Sequence, residues 1–471
     1  MNLNLLLFLL ASLFLLWAGL GVVLLTALRS RPLRACETLS LAFLCGAALV
    51  SLASFLLGWG LSGAALRWSV AALCLLTGLA GIIRWWRGAI EIRWSAPDGI
   101  SDYLFLFLLL LQGGFLFWLS ARSALLWDGL FNWEIKAQLA FQHAGRLPAD
   151  YFTSAALRWS HPEYPLLLPL TEAWFFAWLG AAHQGMIKLL FPFFYLAALG
   201  LLAAGAAIAG RSGLRLWPLP TLLFFLPQLL FREGSVTSGY ADFPLAVAYL
   251  AVVIYLTEYW QTDDAEALRL TGWLSAVLPW IKQEGTVLWL CVMALAALRA
   301  IPQRHWRELA RAVLPGALII VMWLTFIRLI KAPVGQDYLP FTLSTLRANL
   351  SRVPVILTAL LSEFINWRHW SLLWPGLLLA LPLLRRLRRQ AIALGFAVIL
   401  PLAFYVVVYL FISEEKNTVS GHIAASLPRL LTHVAPVALL LLWLALTAER
   451  DQKSELHRPL QVSPAADEPV L

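Results

Sequence analysis

Ionisable residues are scarce in this chain, and those near its apolar runs fall into a few short clusters. Charged residues make up 13% of the 471 and hydrophobic ones 61%. Asp128 opens the stretch Trp127-Asp128-Gly129-Leu130-Phe131-Asn132-Trp133-Glu134-Ile135-Lys136, just after an apolar segment that ends near Ser120. A carboxylate there can take a proton from a hydroxyl, and a neighbouring cation can hold charge that develops on a leaving group. His161-Pro162-Glu163-Tyr164-Pro165 precedes a short apolar segment, and Gly239-Tyr240-Ala241-Asp242-Phe243-Pro244 opens a longer one. Lys282-Gln283-Glu284-Gly285 interrupts another, and Arg429 and His433 begin the last.

Each cluster also has a structural reading. Acids and tyrosines at a helix entrance serve as caps or interface anchors, which fits Asp128 and Asp242. Lys282 and Glu284 fit an ion pair closing a helix break, and Arg429 fits a headgroup anchor. His161 has no second histidine at ligand spacing. Cys36, Cys45, Cys74 and Cys291 lie in or beside apolar runs without a CxxC motif, and read as packing residues. Convergence favours a site. Ionisable groups within membrane spans are costly and mark pathways or sites, and here they gather on one side instead of crossing the bilayer as in a transporter.

The elements that must position these groups are membrane helices. Mean hydropathy is +0.77, with 23 Trp and 26 Phe, far outside the soluble range. The runs are continuously apolar, which excludes an outer-membrane barrel and predicts an all-α polytopic protein. Thirteen candidate spans cover 3–28, 37–60, 65–83, 101–121, 186–209, 214–231, 243–259, 270–282, 285–301, 312–331, 371–384, 391–412 and 430–447. The first is too long for a signal-peptide core and is kept as a helix. The net charge of +9 reflects arginines in short loops, the positive-inside pattern, and does not point to nucleic acid. Arg29/Arg31/Arg34, Arg84/Arg87/Arg93, Arg211/Arg215, Arg304/Arg307/Arg311 and Arg385/Arg386/Arg388/Arg389 put one set of loops inside. All the acid–base clusters then fall outside.

Leu166 to Gly180 is too short for a normal span and carries Glu172. It is expected to be re-entrant or interfacial, buried in protein. Two outer loops, 122–165 and 332–370, are long enough to fold. The first is expected to contain an interfacial helix from Trp133 to His143, and the second holds Arg347, Arg352, Glu363, Trp367, Arg368 and His369. The chain divides into extra N-terminal helices (1–100), a core (101–450) and a tail (451–471) expected to be disordered and cytoplasmic. No internal repeat is present.

At these clusters the sequence resembles the GT-C superfamily of polyprenyl-phosphate-sugar-dependent glycosyltransferases, over about Ser101 to Leu446. In that family an aspartate follows the span entering the first large outer loop, as Asp128 does. A Pro-Pro-Leu-like segment closes the loop, as at His161-Pro162-Glu163-Tyr164-Pro165-Leu166. An Asp-x-Pro-Leu motif begins a later span, as at Asp242-Phe243-Pro244-Leu245, and a lysine–glycine element follows, as at Lys282 to Gly285. Many members carry a second acid directly after the first; this chain has Gly129, so Glu134 is the candidate substitute.

The resemblance implies a GT-C-like core whose outer-face cavity is capped by the two loops. It also implies a bacterial cytoplasmic-membrane enzyme that moves a sugar from a polyprenyl-phosphate carrier to a lipid, glycan or protein acceptor, with inversion. Asp128 is then the base. Lys282 and Arg429 stabilise the leaving phosphate, with Arg347, Arg352 and Arg368 as further cations. Asp242 and Glu163 orient sugar hydroxyls or hold a divalent cation, which only some relatives bind. Glu134, Lys136, His161, Tyr240 and Glu284 complete the substrate-binding set. Two other readings are an O-antigen-ligase or polysaccharide-polymerase type of enzyme, centred on the arginines and histidine of 332–370, and a lipid-carrier flippase or transporter without covalent chemistry.

Overall fold

The computed structural model describes residues 3–27, 31–94, 99–208, 217–332, 338–387, 389–415 and 417–456. In lipid, a continuous apolar run can satisfy its backbone only by intrahelical hydrogen bonds, and the chain is helical almost throughout. α1 (Leu3–Thr26), α2 (Ala35–Leu57), α3 (Gly63–Arg84) and α4 (Ile100–Arg122) come first. A π-type turn, Gly129–Glu134, leads to α5 (Ile135–Gln142), α6 (Ala149–Thr153), α7 (Leu167–Leu179), α8 (Gln184–Ile187) and α9 (Leu190–Ile208). Then come α10 (Pro218–Leu222), α11 (Pro227–Phe231), α12 (Asp242–Thr262), α13 (Ala265–Ser275), α14 (Leu278–Ile281), α15 (Gln283–Ala300) and α16 (Trp306–Leu329). The last third holds α17 (Leu343–Ala348), α18 (Val353–Phe364), α19 (Trp367–Trp370), α20 (Leu373–Leu379), α21 (Leu381–Leu384), α22 (Arg389–Tyr409) and α23 (Val419–Leu456). Leu33–Arg34 and Ile92–Arg93 pair as two short parallel strands.

Among the described residues ten helical segments are long and apolar enough to cross a membrane, so this is an all-α, multi-pass membrane protein. Three of the expected spans are instead broken helices: α10–α11, α13–α14 and α20–α21. Proline accounts for the breaks, with Pro227, Pro279 and Pro382 each starting a new short helix where the hydrogen-bond ladder cannot continue. The final helix reaches Leu456, so the start of the expected disordered tail is helical. Its residues Glu449, Arg450, Lys453 and Glu455 are good helix formers. Residues 457–471, together with Arg29, Arg211, Arg215 and Arg388, lie outside the described residues.

The N-terminal helices are bound tightly to the rest. Glycines let α1 approach both neighbours: a Cβ on Gly46 of α2 would fall 2.1 Å from the Leu15 carbonyl oxygen. One on Gly21 would fall 2.2 Å from that of Thr77 in α3. Arg31 then joins Glu37 of α2 (2.5 Å) to Glu258 of α12 (2.6 Å), and the Tyr255 hydroxyl also donates to Glu37.

Helix α7 is buried along its whole length apart from Ala177. Its Thr171 hydroxyl reaches the Ala47 carbonyl of α2 (3.4 Å), and its Trp174 indole donates to Ala11 of α1 (3.2 Å). Arg67, near the start of α3, donates to the Ala177 carbonyl (2.8 Å). The N-terminal end of α7 meets the same end of this helix group, because Leu166 and Leu170 line a cavity with Phe55 and Trp59 from the end of α2. The stretch from Trp133 to His143 is a π-type turn followed by α5, and it buries Trp133, Glu134, Lys136, Ala137 and Ala140. This face packs into protein.

Candidate active site

Asp242 is the hub. It is the first residue of α12, where a negative charge meets the positive end of the helix dipole, and it has no solvent exposure. Its Oδ1 accepts from Lys282 Nζ (2.8 Å) and from His433 Nε2 (3.0 Å). Its Oδ2 accepts from Arg429 Nε (3.3 Å) and Nη2 (3.2 Å). His433 Nδ1 faces the Tyr405 hydroxyl at 2.9 Å. A neutral imidazole protonated on Nε2 satisfies both contacts, donating to Asp242 and accepting from Tyr405. Lys282 also meets Glu284 Oε1 at 2.9 Å.

Local backbone geometry explains how these groups meet. Lys282 is extended (φ −157°, ψ 159°) at the break between α14 and α15, which frees its side chain from the helical phase. Gly285 lets the break close, since a Cβ there would fall 1.9 Å from the Leu278 carbonyl oxygen. Gly234, at φ +81°, packs against both Asp242 and Arg429, whose side-chain carbons would each lie 3.2 Å from an added Cβ.

Asp128 joins through Arg429, whose Nη2 lies 2.7 Å from its Oδ2. One guanidinium therefore bridges the two aspartates and lies over the Tyr240 ring, 4.7 Å from its centroid. Asp128 is the more accessible acid, with 19% of its side chain exposed. Its turn is held by Leu126 N–H donating to the Ser238 carbonyl (3.0 Å). A Cβ on Gly129 would fall 2.5 Å from that same oxygen, so this contact leaves no room for a second acid after Asp128.

Lys136, His161 and Glu163 form an adjoining group. Lys136 is fully buried, donates to the His161 carbonyl (2.8 Å) and lies over the rings of Trp133 and Tyr164. Burial pushes its ammonium down to about 7, against the opposing pull of Glu163 and Asp128. His161, in the left-handed region at φ +49°, stacks on Tyr164 and places Nδ1 3.1 Å from Glu163 Oε1. Tyr164 packs within this group, its ring meeting those of Trp133 and His161.

The other expected residues are engaged elsewhere. Glu134 is 1% exposed, and its carboxylate accepts from Gln138 (3.0 Å) and Gln184 (2.7 Å) rather than acting beside Asp128. Arg352 donates to the Ile412 carbonyl (2.8 Å) and pairs with Glu414, while Arg368 lies over the Trp367 ring. Arg347 is exposed. His369 pairs with Glu363 at 2.6 Å, and the Trp370 indole donates to the same carboxylate. Tyr405 is the member that sequence reasoning did not single out. Among the described residues no three His, Cys, Asp or Glu side chains converge to hold a metal ion. Asp242 is also a poor metal ligand here, because both its oxygens already face cationic or N–H donors.

No family model, curated protein or solved structure matches the chain.

Two outcomes follow from this geometry. Asp242→Asn removes the charge that neutralises buried Lys282 and partly buried Arg429, and should cost about 3–5 kcal/mol of stability. Asp128→Asn, at the accessible edge, should cost less than about 1 kcal/mol. Thermal unfolding in detergent checks both, and equal losses would contradict a hub at Asp242. The second outcome concerns Lys136, whose folded-state pKa lies below its unfolded value. Its charging penalty is therefore complete below about pH 7 and is relieved as pH rises from about 7 towards the free lysine value. The stability of the natural protein relative to Lys136→Met should accordingly increase across that window; a flat difference would show that Lys136 does not titrate there.

Proposed function

We propose that this protein transfers a sugar from a polyprenyl-phosphate carrier to a hydroxyl acceptor, as an inverting membrane glycosyltransferase with a GT-C-like core. One observation carries the reading. Asp128, Asp242, Lys282 and Arg429 come from four distant stretches, each beside an apolar run, and join in one ion network with Asp128 at its accessible edge. The order of their motifs adds the family resemblance.

In the proposed reaction Asp128 takes the proton of the acceptor hydroxyl. The acceptor oxygen bonds to the anomeric carbon from the face opposite the phosphate, the carbon–phosphate-oxygen bond breaks, and the lipid phosphate leaves with the electron pair. Arg429 and Lys282 stabilise that charge. Both cations already have carboxylate partners, so the incoming phosphate shares Arg429 with Asp128 and Asp242. Lys136 pins the His161 turn, which holds Glu163 and Tyr164 beside the same space. The cellular setting that fits is the bacterial cytoplasmic membrane with the site facing outwards and the arginine-rich loops inside.

A ligase- or polymerase-like site would centre on Arg347, Arg352, Arg368 and His369 of the 332–370 loop, where His369 pairs with Glu363. That pair is closed in by Trp370 and Asn366, and among the described residues no hydrogen bond or ion pair joins it to the Asp242 network.

The test is genetic and chemical. Deleting the gene should remove one sugar from an envelope glycan or glycolipid, and the natural gene should restore it. Asp128→Asn should fold but lose about 10²–10⁴-fold in transfer, the usual contribution of a positioned base. Full restoration by Asp128→Asn would remove the base assignment, and an unchanged envelope after deletion would count against transfer itself.

A further inference from the structure

Two of the extra N-terminal helices, α2 and α3, help enclose a cavity that the proposed transfer does not use. It has two chambers, of about 280 and 520 Å³, which share Ser54, Gly145 and Leu170. They lie where α2 and α3 turn, between those helices, the 143–149 loop, α7 and the end of α16. The larger falls within the ~300–1,000 Å³ range of small-ligand sites. Its walls are mostly apolar, with Phe55, Phe152, Leu166 and Phe326 among them.

The charge of the lining is one-sided. His143 and Arg146 line the larger chamber and are exposed, and Arg67 lines the smaller. No aspartate or glutamate lines either chamber. Arg67 donates one Nη1 bond to Ala177 and lies over the rings of Trp68 and Trp178, at 5.5 and 5.4 Å, which themselves meet edge to face. Its Nε is buried without a hydrogen-bond partner. A guanidinium held in place by two indoles, with a donor to spare, suits an incoming oxyanion. An apolar chamber with basic groups and no acid suits an amphiphile with an anionic head.

We infer that this cavity binds an anionic membrane glycerophospholipid, with acyl chain in the larger chamber and phosphate held by Arg67 and Arg146. The site does not depend on the transfer chemistry, but it adjoins the turn that serves it. Leu166 in the cavity wall directly follows Pro165. Trp323, whose indole donates to the Glu163 carbonyl (3.0 Å), packs on Phe326 of the same wall.

Native mass spectrometry of the full-length protein, delipidated in detergent and titrated with phosphatidylglycerol or phosphatidylcholine of the same chains, tests this. One phosphatidylglycerol should be retained in preference to phosphatidylcholine. Arg67→Gln with Arg146→Gln removes both charge-assisted contacts and should weaken that binding about tenfold or more, since even one such contact is worth that much. Ser54→Phe, which fills the junction of the chambers, should weaken both lipids. Arg158→Gln, an exposed arginine outside the lining, should change neither. Equal retention of the two lipids, or full phosphatidylglycerol binding by the double variant at an unchanged unfolding temperature, would overturn the proposal.

Discussion

A carboxylate with no solvent exposure inside a membrane protein must be neutralised, and Asp242 is neutralised by Lys282, Arg429 and the N–H of His433. Desolvating such a group costs several kcal/mol unless good geometry repays it. Satisfying it therefore constrains the packing of α12, the α14–α15 break and α23, which supply these groups. Arg429 extends the constraint to the loop after α4, because the guanidinium that meets Asp242 also meets Asp128. The accessible acid is thus oriented by the buried one.

The same helix carries a second buried acid at its other end. Glu258 of α12 shares Arg31 with Glu37 of α2, so the N-terminal helices are tied to the core by charge as well as by glycine-mediated contact. The closely packed α1–α3 unit in turn gives α7 something to bury against. Helix α7 follows the His161–Pro165 turn, which bears on the space around Asp128.

Much of this is legible in the sequence, for a physical reason. Asp128, Asp242, Lys282 and Arg429 interrupt or border apolar runs in a chain where charge is rare, so each stands out. Tyr405 does not, since a tyrosine in the apolar run 391–412 looks like any core aromatic until His433 faces it. Glu134 misleads because the π-type turn from Gly129 to Glu134 changes the helical phase, and its side chain turns to Gln138 and Gln184. The broken spans misread for a similar reason. Composition along 214–231, 270–282 and 371–384 is apolar enough to cross, but proline decides whether the helix is continuous.

The most direct measurement is an experimental structure of the protein in a lipid nanodisc with undecaprenyl phosphate bound. The phosphate should contact Arg429 or Lys282, with the Asp128 carboxylate facing the open space beside it and Asp242 beneath. A phosphate seated away from both cations, or Asp128 and Asp242 found at opposite ends of the bundle, would contradict the proposed reaction.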